Sequence, residues 1–138
     1  MSERLLIVED EETLCDSLQR VLARDGYDVD AVNSAESALK NMDETVYDLI
    51  ITDIILPGID GIELLRRIRE RMPEQLVIIV TAYASIETAV GALRGGAYDY
   101  VIKPIIHEEI KRIVRNALKQ KALMAENIIL RKQIEEQY

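Results

Sequence analysis

The chain alternates short apolar runs with segments of helical periodicity. The runs are LLIV at 5–8, YDVDAV at 27–32, LIIT at 49–52, LVIIV at 76–80 and YVI at 100–102. Their length and their content of β-branched residues predict strands. Between them, apolar residues recur every three or four positions, which is typical of amphipathic helices. These faces comprise Leu14, Leu18, Val21 and Leu22; Ala35, Ala38 and Leu39; Ile62, Leu65 and Ile68; and Ile86, Ala89, Val90 and Leu93.

Boundary residues agree with this alternation. The predicted N-caps are Ser34, Asp60 and Ser85, and the glycines that follow helix ends are Gly26, Gly95 and Gly96. Alternating strands and helices form a parallel sheet with right-handed crossovers and helices on both faces. The predicted fold class is therefore α/β, a doubly wound parallel sheet of five strands with five helices. Such sheets bind ligands at the carboxyl ends of their strands.

The segment from about residue 106 predicts one long helix. It holds no Gly or Pro for over thirty residues and is rich in strong helix formers. Packing on the sheet is expected of Ile110, Ile113, Val114 and Ala117, and the 4, 3, 4 spacing of a coiled-coil seam is found at Leu123, Asn127, Leu130 and Ile134. We therefore expect a globular domain over 1–120 and a helical linker over 121–138 that pairs with a second copy of the chain. The alternative is a frayed, solvated tail.

Charge and composition narrow the classes of function. Lys and Arg number 17 against 25 Asp and Glu, a net charge of −8, which disfavours direct nucleic-acid binding because that binding relies on basic residues neutralising phosphates. One Cys cannot form an internal disulfide, no leader is recognisable, and no apolar run approaches the ~18 residues that cross a bilayer. We therefore expect a cytoplasmic protein without membrane contact. Four acidic residues stand in a row at 9–12, directly after the first predicted strand.

Charged and polar residues lie at or just after the ends of four predicted strands. They are Glu9, Asp10, Asp53, Thr81 and Lys103. Taken singly, each has a structural explanation, such as Asp10 capping the first helix, Thr81 starting the fourth or Lys103 being a solvated strand end. Together, carboxylates crowded at one sheet edge require a cation, and all-oxygen ligands select Mg²⁺, which keeps waters that a phosphate oxygen can replace.

The same residues suggest phosphoryl chemistry. A carboxylate such as that of Asp53 can form an aspartyl phosphate, Lys103 with Mg²⁺ can neutralise the charge of the transferring group, and the Thr81 hydroxyl can bind one of its oxygens. A tight loop follows Asp53, and it can turn the backbone carbonyl of Ile55 toward the metal. A cis bond between Lys103 and Pro104 would direct the lysine into the site.

Four segments, LLIVEDEE, DLIITDIILPGIDG, VIIVTAYAS and AYDYVIKP, resemble in order and spacing the receiver domain of two-component response regulators. The resemblance covers about residues 3–120 and implies a flavodoxin-like sheet of order 2-1-3-4-5. It further implies a phosphoacceptor at Asp53, Mg²⁺ ligands at Glu9, Asp10, Asp53 and the Ile55 carbonyl, phosphate-sensing groups at Thr81 and Lys103, and a switch aromatic at Tyr100. The first acid of the pair is often Asp in the family, so whether Glu9 binds the metal directly is open.

The segment TAYASIETAVGALRGGAYDYVIKP and the tail ALMAENIILRKQIEE look most like the nitrogen-regulation type of sigma-54-dependent transcriptional activators. That resemblance implies a sensor histidine kinase as phosphoryl donor, a homodimer through the last helix and linker, and transcriptional output domains that this chain lacks. The chain is then a phosphoacceptor and switch rather than an enzyme. With Ile55 and Tyr83 beside the site, neither able to orient a hydrolytic water, we expect slow self-dephosphorylation.

Three other functions are conceivable for a chain with this pattern. A metal-dependent phosphatase with an Asp nucleophile usually needs a second Asp two positions later, where this chain has Ile55. A flavin-binding module would need a Gly-, Ser- or Thr-rich loop after the first strand, and the acidic run at 9–12 would repel a phosphate. A dimerisation module that is not phosphorylated is the remaining alternative, and the complete set of strand-end residues argues against it.

Overall fold

The computed structural model describes residues 2–83 and 85–137 of the 138-residue chain; Met1, Ala84 and Tyr138 lie outside the described residues. Five parallel strands pair in the order β2-β1-β3-β4-β5. The strands are β1 Arg4–Val8, β2 Asp28–Val32, β3 Leu49–Thr52, β4 Leu76–Thr81 and β5 Asp99–Ile102, and the helices are α1 Glu12–Arg24, α2 Ala35–Glu44, α3 Gly61–Arg71, α4 Ile86–Arg94 and α5 His107–Gln137. The predicted fold class and strand order are confirmed.

Two apolar layers enclose the sheet, one on each face. Successive strand residues point to opposite faces, so Leu6 and Val8 pack under α2, α3 and α4, whereas Leu5 and Ile7 pack under α1 and α5. Both faces of β1, β3 and β4 are thus covered, which is why these strands read as continuous apolar runs. No described helix has the length and hydropathy to cross a membrane.

The predicted N-caps are confirmed for three helices. The side-chain oxygens of Ser34, Asp60 and Ser85 accept the backbone N–H of the residue three positions on, and each begins its helix in extended geometry. These bonds satisfy N–H groups that have no partner within the helix. At α1 the N-cap residue is Glu11, and it makes no side-chain capping bond. The alternative role of Asp10 as the cap of the first helix is therefore wrong.

Helix α4 packs through small residues rather than through its bulky apolar face. Ala92 is fully buried against the sheet, whereas Ile86 is 86% exposed and Val90 and Leu93 are also exposed. The periodicity identified an apolar stripe correctly, but the stripe faces solvent, and the helix packs on the core through the small side chain of Ala92. An uncovered apolar stripe of this kind is typical of a surface that meets other proteins.

Helix α5 is continuous and only its first part belongs to the core. Ile110, Val114 and Ala117 are fully buried against the sheet, as predicted. All side chains from 121 to 135 are exposed, including the seam residues Leu123, Asn127, Leu130 and Ile134. One ion pair, from Lys121 Nζ to Asp48 Oδ1 at 3.1 Å, ties the start of this exposed part to the domain.

Arg69 of α3 fastens two loops at the amino-terminal edge of the sheet. Its guanidinium donates to the backbone carbonyls of Pro73 at 2.8 Å and Gly96 at 2.9 Å, and also to that of Gln75. Burial lowers the pKa of this guanidinium, and no carboxylate pairs with it among the described ion pairs. The side chain therefore links the α3–β4 and α4–β5 connections through hydrogen bonds.

Candidate functional site

The residues that end the central strands meet at the carboxyl edge of the sheet. Parallel register places Val8 opposite Thr52 and Thr81 opposite Ile102. The ladder continues for one step beyond the strands, where the Asp53 N–H donates to the Val8 carbonyl at 3.1 Å and the Lys103 N–H to that of Thr81 at 2.9 Å. The sheet therefore brings side chains from distant parts of the chain to one edge.

Three carboxylates form a cluster at this edge, which we call the acidic edge: Glu9, Asp10 and Asp53. One oxygen of each lies within 4.8 Å of the others. Glu9 and Asp53 are buried, with 5% and 7% of their surfaces exposed, whereas Asp10 is exposed. The acidic edge therefore contains two buried carboxylates and one that is in contact with solvent.

Lys103 lies between the two buried carboxylates. Its Nζ donates to Glu9 Oε1 at 2.6 Å and to Asp53 Oδ2 at 2.7 Å. Burial lowers the pKa of Lys103, but its hydrogen bonds with Asp53 and Glu9 outweigh burial and raise it above its ordinary value. The ammonium is therefore firmly charged. The peptide bond between Lys103 and Pro104 is cis.

Burial has the largest effect on the pKa of the Glu9 carboxyl group. Desolvation raises its pKa above the ordinary value, although the hydrogen bonds from Lys103 and from the Glu11 N–H act in the opposite direction. One lysine offsets part of the charge of two buried carboxylates and an exposed third, so the cluster remains net negative. Buried carboxylates that are not fully neutralised attract a cation, which makes the acidic edge a candidate cation site.

The donor set suits Mg²⁺. Every oxygen of the acidic edge is a hard ligand, and Mg²⁺ binds one or two carboxylates while retaining waters. The three carboxylates are close enough for one ion to reach an oxygen of each, directly or through water. Asp10 is exposed, so the acidic edge is open to solvent on its side.

The loop after Asp53, residues 54–60, is built closely on the site. The Ile55 N–H donates to Asp53 Oδ1 at 3.2 Å, and the Gly61 N–H donates to the Ile54 carbonyl at 2.7 Å. The Ile55 side chain is 58% exposed at the rim. The role of its carbonyl as a metal ligand stays a prediction.

Thr81 and Tyr100 are connected through the backbone of Tyr83. The Thr81 side chain is fully buried, and its Oγ1 accepts the Tyr83 N–H at 3.2 Å. The Tyr100 hydroxyl donates to the Tyr83 carbonyl, and its ring packs partly against the core. A movement of the Thr81 hydroxyl would therefore change its hydrogen bond with the Tyr83 N–H, and a shift of Tyr83 would change the hydrogen bond that its carbonyl accepts from Tyr100.

Two contributors to the site were not predicted from the sequence. Gly61 packs directly on the backbone of Asp53 and Ile54, and Glu36 of α2 accepts the N–H of Ile59 in the loop. In the sequence, Gly61 indicates only that the loop after Asp53 turns tightly. Glu36 is separated from its partner by 23 positions, and no local pattern distinguishes it from the other exposed acids.

Residues 5–115 match the family described as the response regulator receiver domain. This chain belongs to that family. Among its relatives are the transcriptional regulatory protein ZraR of Escherichia coli K12, 40% identical over 114 residues, and the response regulator protein FleR of Pseudomonas aeruginosa, 40% identical over 121 residues. The alignments cover 83% and 87% of this chain but only 26% of each relative, so this receiver spans about a quarter of their length.

Solved receivers have the same fold. A CheY-like receiver domain protein of Methanospirillum hungatei superimposes with a TM-score of 0.87 at 31% identity, covering 90% of this chain and 99% of that one. The beryllofluoride-activated NtrC4 receiver, solved as a dimer, gives 0.81 at 32% identity, covering 85% and 97%. The resemblance to a receiver of the nitrogen-regulation, sigma-54-dependent type is confirmed.

Proposed function

We propose that this receiver is a phosphorylation switch in which Asp53 takes a phosphoryl group from a phosphohistidine of a sensor kinase. A carboxylate oxygen of Asp53 attacks phosphorus, the phosphorus–nitrogen bond of the donor breaks, and the released imidazole nitrogen keeps the bonding pair and takes up a proton. The observation that carries this proposal is the environment of Asp53, a buried carboxylate held 2.7 Å from the ammonium of Lys103 within a cluster of three carboxylates.

Each residue of the site has a separate task in this proposal. Glu9, Asp10 and Asp53, with the Ile55 carbonyl, would hold Mg²⁺, which supplies neutralisation of the charge on the transferring phosphoryl oxygens. Lys103 already lies beside the reacting oxygen and donates to the phosphoryl group after transfer. The Thr81 hydroxyl donates to another phosphoryl oxygen.

The proposed switch runs from Thr81 to Tyr100. When the Thr81 hydroxyl turns toward the phosphoryl group, its bond from the Tyr83 N–H weakens, and the segment that Tyr100 holds through the Tyr83 carbonyl moves. The conformation at β5 and α4 then changes, where an apolar stripe is already exposed. Phosphorylation thus biases two populations of the domain rather than creating a new fold.

The chain acts as a phosphoacceptor and not as a turnover enzyme in this proposal. Ile55 and Tyr83 at the rim carry no group that orients an attacking water, so the aspartyl phosphate is expected to be long-lived. The exchange is proposed to occur in the cytoplasm, in keeping with a single free Cys15 that is buried in the core.

Pairing of two receivers through residues 121–138 completes the proposal. Leu123, Leu130 and Ile134 are exposed and share a stripe with Asn127, the kind of polar seam residue that sets register. This uncovered stripe also supports the alternative of a dimerisation module that works without phosphorylation. In either case the output would lie in transcriptional domains outside this chain, whose matched segment covers only 26% of relatives such as ZraR and FleR.

Phosphorylation of Asp53 is tested by incubating the protein with a small phosphodonor and Mg²⁺. Intact mass should rise by one phosphoryl group, and Asp53→Asn should abolish the gain. Asp25→Asn, which removes an exposed carboxylate at the end of α1, is the matched control and should label normally. Undiminished labelling of Asp53→Asn would overturn the assignment.

Pairing is tested by measuring mass in solution with and without beryllofluoride. Leu130→Lys in the seam should abolish the dimer, while Ile129→Lys, equally apolar and exposed but on another side of the helix, should leave it intact. A dimer in both conditions that responds to Leu130→Lys favours the phosphorylation-independent module. A monomer throughout contradicts pairing.

A further inference from the structure

The loop of residues 54–60 is held from outside the site by a carboxylate of α2. Glu36 Oε1 accepts the backbone N–H of Ile59 at 3.1 Å. Among the described hydrogen bonds, it is the one bond from a side chain of another element to the backbone of this loop. Without this bond, the backbone conformation near Ile59 would depend only on the turn geometry of the loop itself.

Gly58 fits the same carboxylate. Its φ of +77° is a conformation that favours glycine, and a Cβ at this position would lie 2.8 Å from Glu36 Oε1. The loop backbone therefore lies directly on the carboxylate, and the absence of a side chain at Gly58 permits the approach. Two neighbouring loop residues meet one acidic group.

The position of Glu36 in α2 keeps it ionised and oriented. It lies in the first turn of the helix, after the Ser34 cap, where the exposed N–H groups favour a negative charge. The hydrogen bond from the Ile59 N–H is the largest cause that lowers the pKa of Glu36. The group is thus a charged acceptor at neutral pH, which makes the stronger kind of hydrogen bond.

We propose that Glu36 is a positioning residue for the metal: by holding Ile59 and Gly58 it presents the start of the loop, at Ile55, in the orientation that binding of Mg²⁺ requires. The inference rests on the proposed function. The loop is anchored at its base by Gly61 against Asp53 and near Ile59 by Glu36. Residues between two anchors lose freedom before the metal arrives, so less ordering accompanies binding.

The test measures Mg²⁺ affinity by calorimetry, without any phosphodonor, in Glu36→Ala and Glu36→Gln. Groups that orient metal ligands typically change affinity by about 10–100-fold, and because this bond is exposed we expect about a tenfold loss in Glu36→Ala. Glu36→Gln keeps an acceptor oxygen at the same reach and should retain most of the affinity. Glu44→Ala, at the far end of α2 and exposed, removes one negative charge without touching the loop and should bind Mg²⁺ normally.

A second pair of variants perturbs the contact from the loop side. Gly58→Ala forces a Cβ onto Glu36, whereas Gly26→Ala imposes similar backbone strain at φ +95° with nothing within 4 Å. Both should lose stability in urea, but Mg²⁺ affinity should fall only in Gly58→Ala. This comparison separates positioning from a general loss of stability.

The outcomes are distinguishable. Equal losses in Glu36→Ala and Glu36→Gln would mean that an acceptor oxygen at this position does not hold the loop, and normal affinity in Glu36→Ala would remove any role; either overturns the inference while the phosphoacceptor proposal stands. Absence of Mg²⁺ binding by the wild-type chain would overturn both. Weaker binding in Glu36→Ala and Gly58→Ala, with normal binding in their controls, supports it.

Discussion

Replacing Gly61 by Ala tests the close contact between the start of α3 and the backbone that carries Asp53. A Cβ at Gly61 would lie 2.8 Å from both the Asp53 carbonyl carbon and the Ile54 Cα, and closer still to the Asp53 carbonyl oxygen. Ordinary contact begins at 3.4 Å, so the start of α3 and the end of β3 must separate by at least 0.6 Å (3.4 minus 2.8). Neither side of this contact is a flexible side chain that could move away.

The energetic cost follows from this geometry. Overpacking of a well-packed interior costs typically about 1–3 kcal/mol, and a clash between two backbone segments belongs at the upper end, so we expect a loss of about 3 kcal/mol. With roughly 2.1 cal/mol/K of unfolding entropy per residue, a chain of 138 residues loses about 3–4 °C of melting temperature per kcal/mol. Gly61→Ala should therefore melt about 10 °C lower.

Gly91→Ala is the matched control because the same substitution meets open space. Nothing lies within 4 Å of a Cβ at Gly91, which is exposed within α4. Replacing a helical Gly by Ala favours the helix by about 1 kcal/mol, so this variant should melt about 3 °C higher. The two alanines should thus shift stability in opposite directions.

The assays are urea unfolding and phosphodonor labelling at saturating Mg²⁺. Because the displaced backbone carries Asp53, and misplacement by about 1 Å can cost about a hundredfold in rate, Gly61→Ala should label at least about tenfold more slowly below its melting temperature. Wild-type stability and labelling in Gly61→Ala would refute the close approach. A loss of stability with normal labelling would refute the coupling between that approach and Asp53.

Three further predictions concern Mg²⁺ binding, Ile55 beside the site, and the hydrogen bonds of Arg69. Mg²⁺ at a hundredfold excess over its dissociation constant should stabilise the fold by about 2.7 kcal/mol, and Asp10→Asn should reduce this gain; equal melting shifts in Mg²⁺ and in NaCl of matched ionic strength would contradict a site. Ile55→Asn, which places an amide beside the aspartyl phosphate, should accelerate its decay relative to Ile55→Val, and identical decay would count against the explanation of its lifetime. Arg69→Met removes charged hydrogen bonds to backbone carbonyls and should lower the free energy of unfolding in urea by about 2 kcal/mol; unchanged stability would mean that these hydrogen bonds do not stabilise the fold.

Sequence patterns that span only a few residues predicted the strands, the helices and several helix caps. Apolar runs and helical periodicity predicted all five strands and five helices, and single residues such as Ser34 and Asp60 marked helix starts, because a strand or a cap depends on neighbours within a few positions. The candidate site was predicted because parallel strands must end at one edge, so that the residues following them converge whatever else the chain does.

Other features depended on which element lies against which. Periodicity could not say that the bulky stripe of α4, including Ile86, faces solvent, because only packing against α3 and the sheet selects the side of a helix that is covered. Asp10 resembled a cap, yet the helix begins after Glu11 and leaves the carboxylate at the mouth of the site. In both cases the local pattern was present, but the pattern alone did not say which surface or site the residue serves.

The sequence alone determined the alternation of elements, the α/β class and the residues at the strand ends, since these follow from local periodicity and the geometry of parallel sheets. Tertiary structure decided the contacts that make a site of them. Lys103 meets Glu9 across 94 positions and Glu36 meets Ile59 across 23. Such pairs leave no periodic trace in the chain, because their distance is set by how the sheet and its helices pack and not by their spacing in sequence.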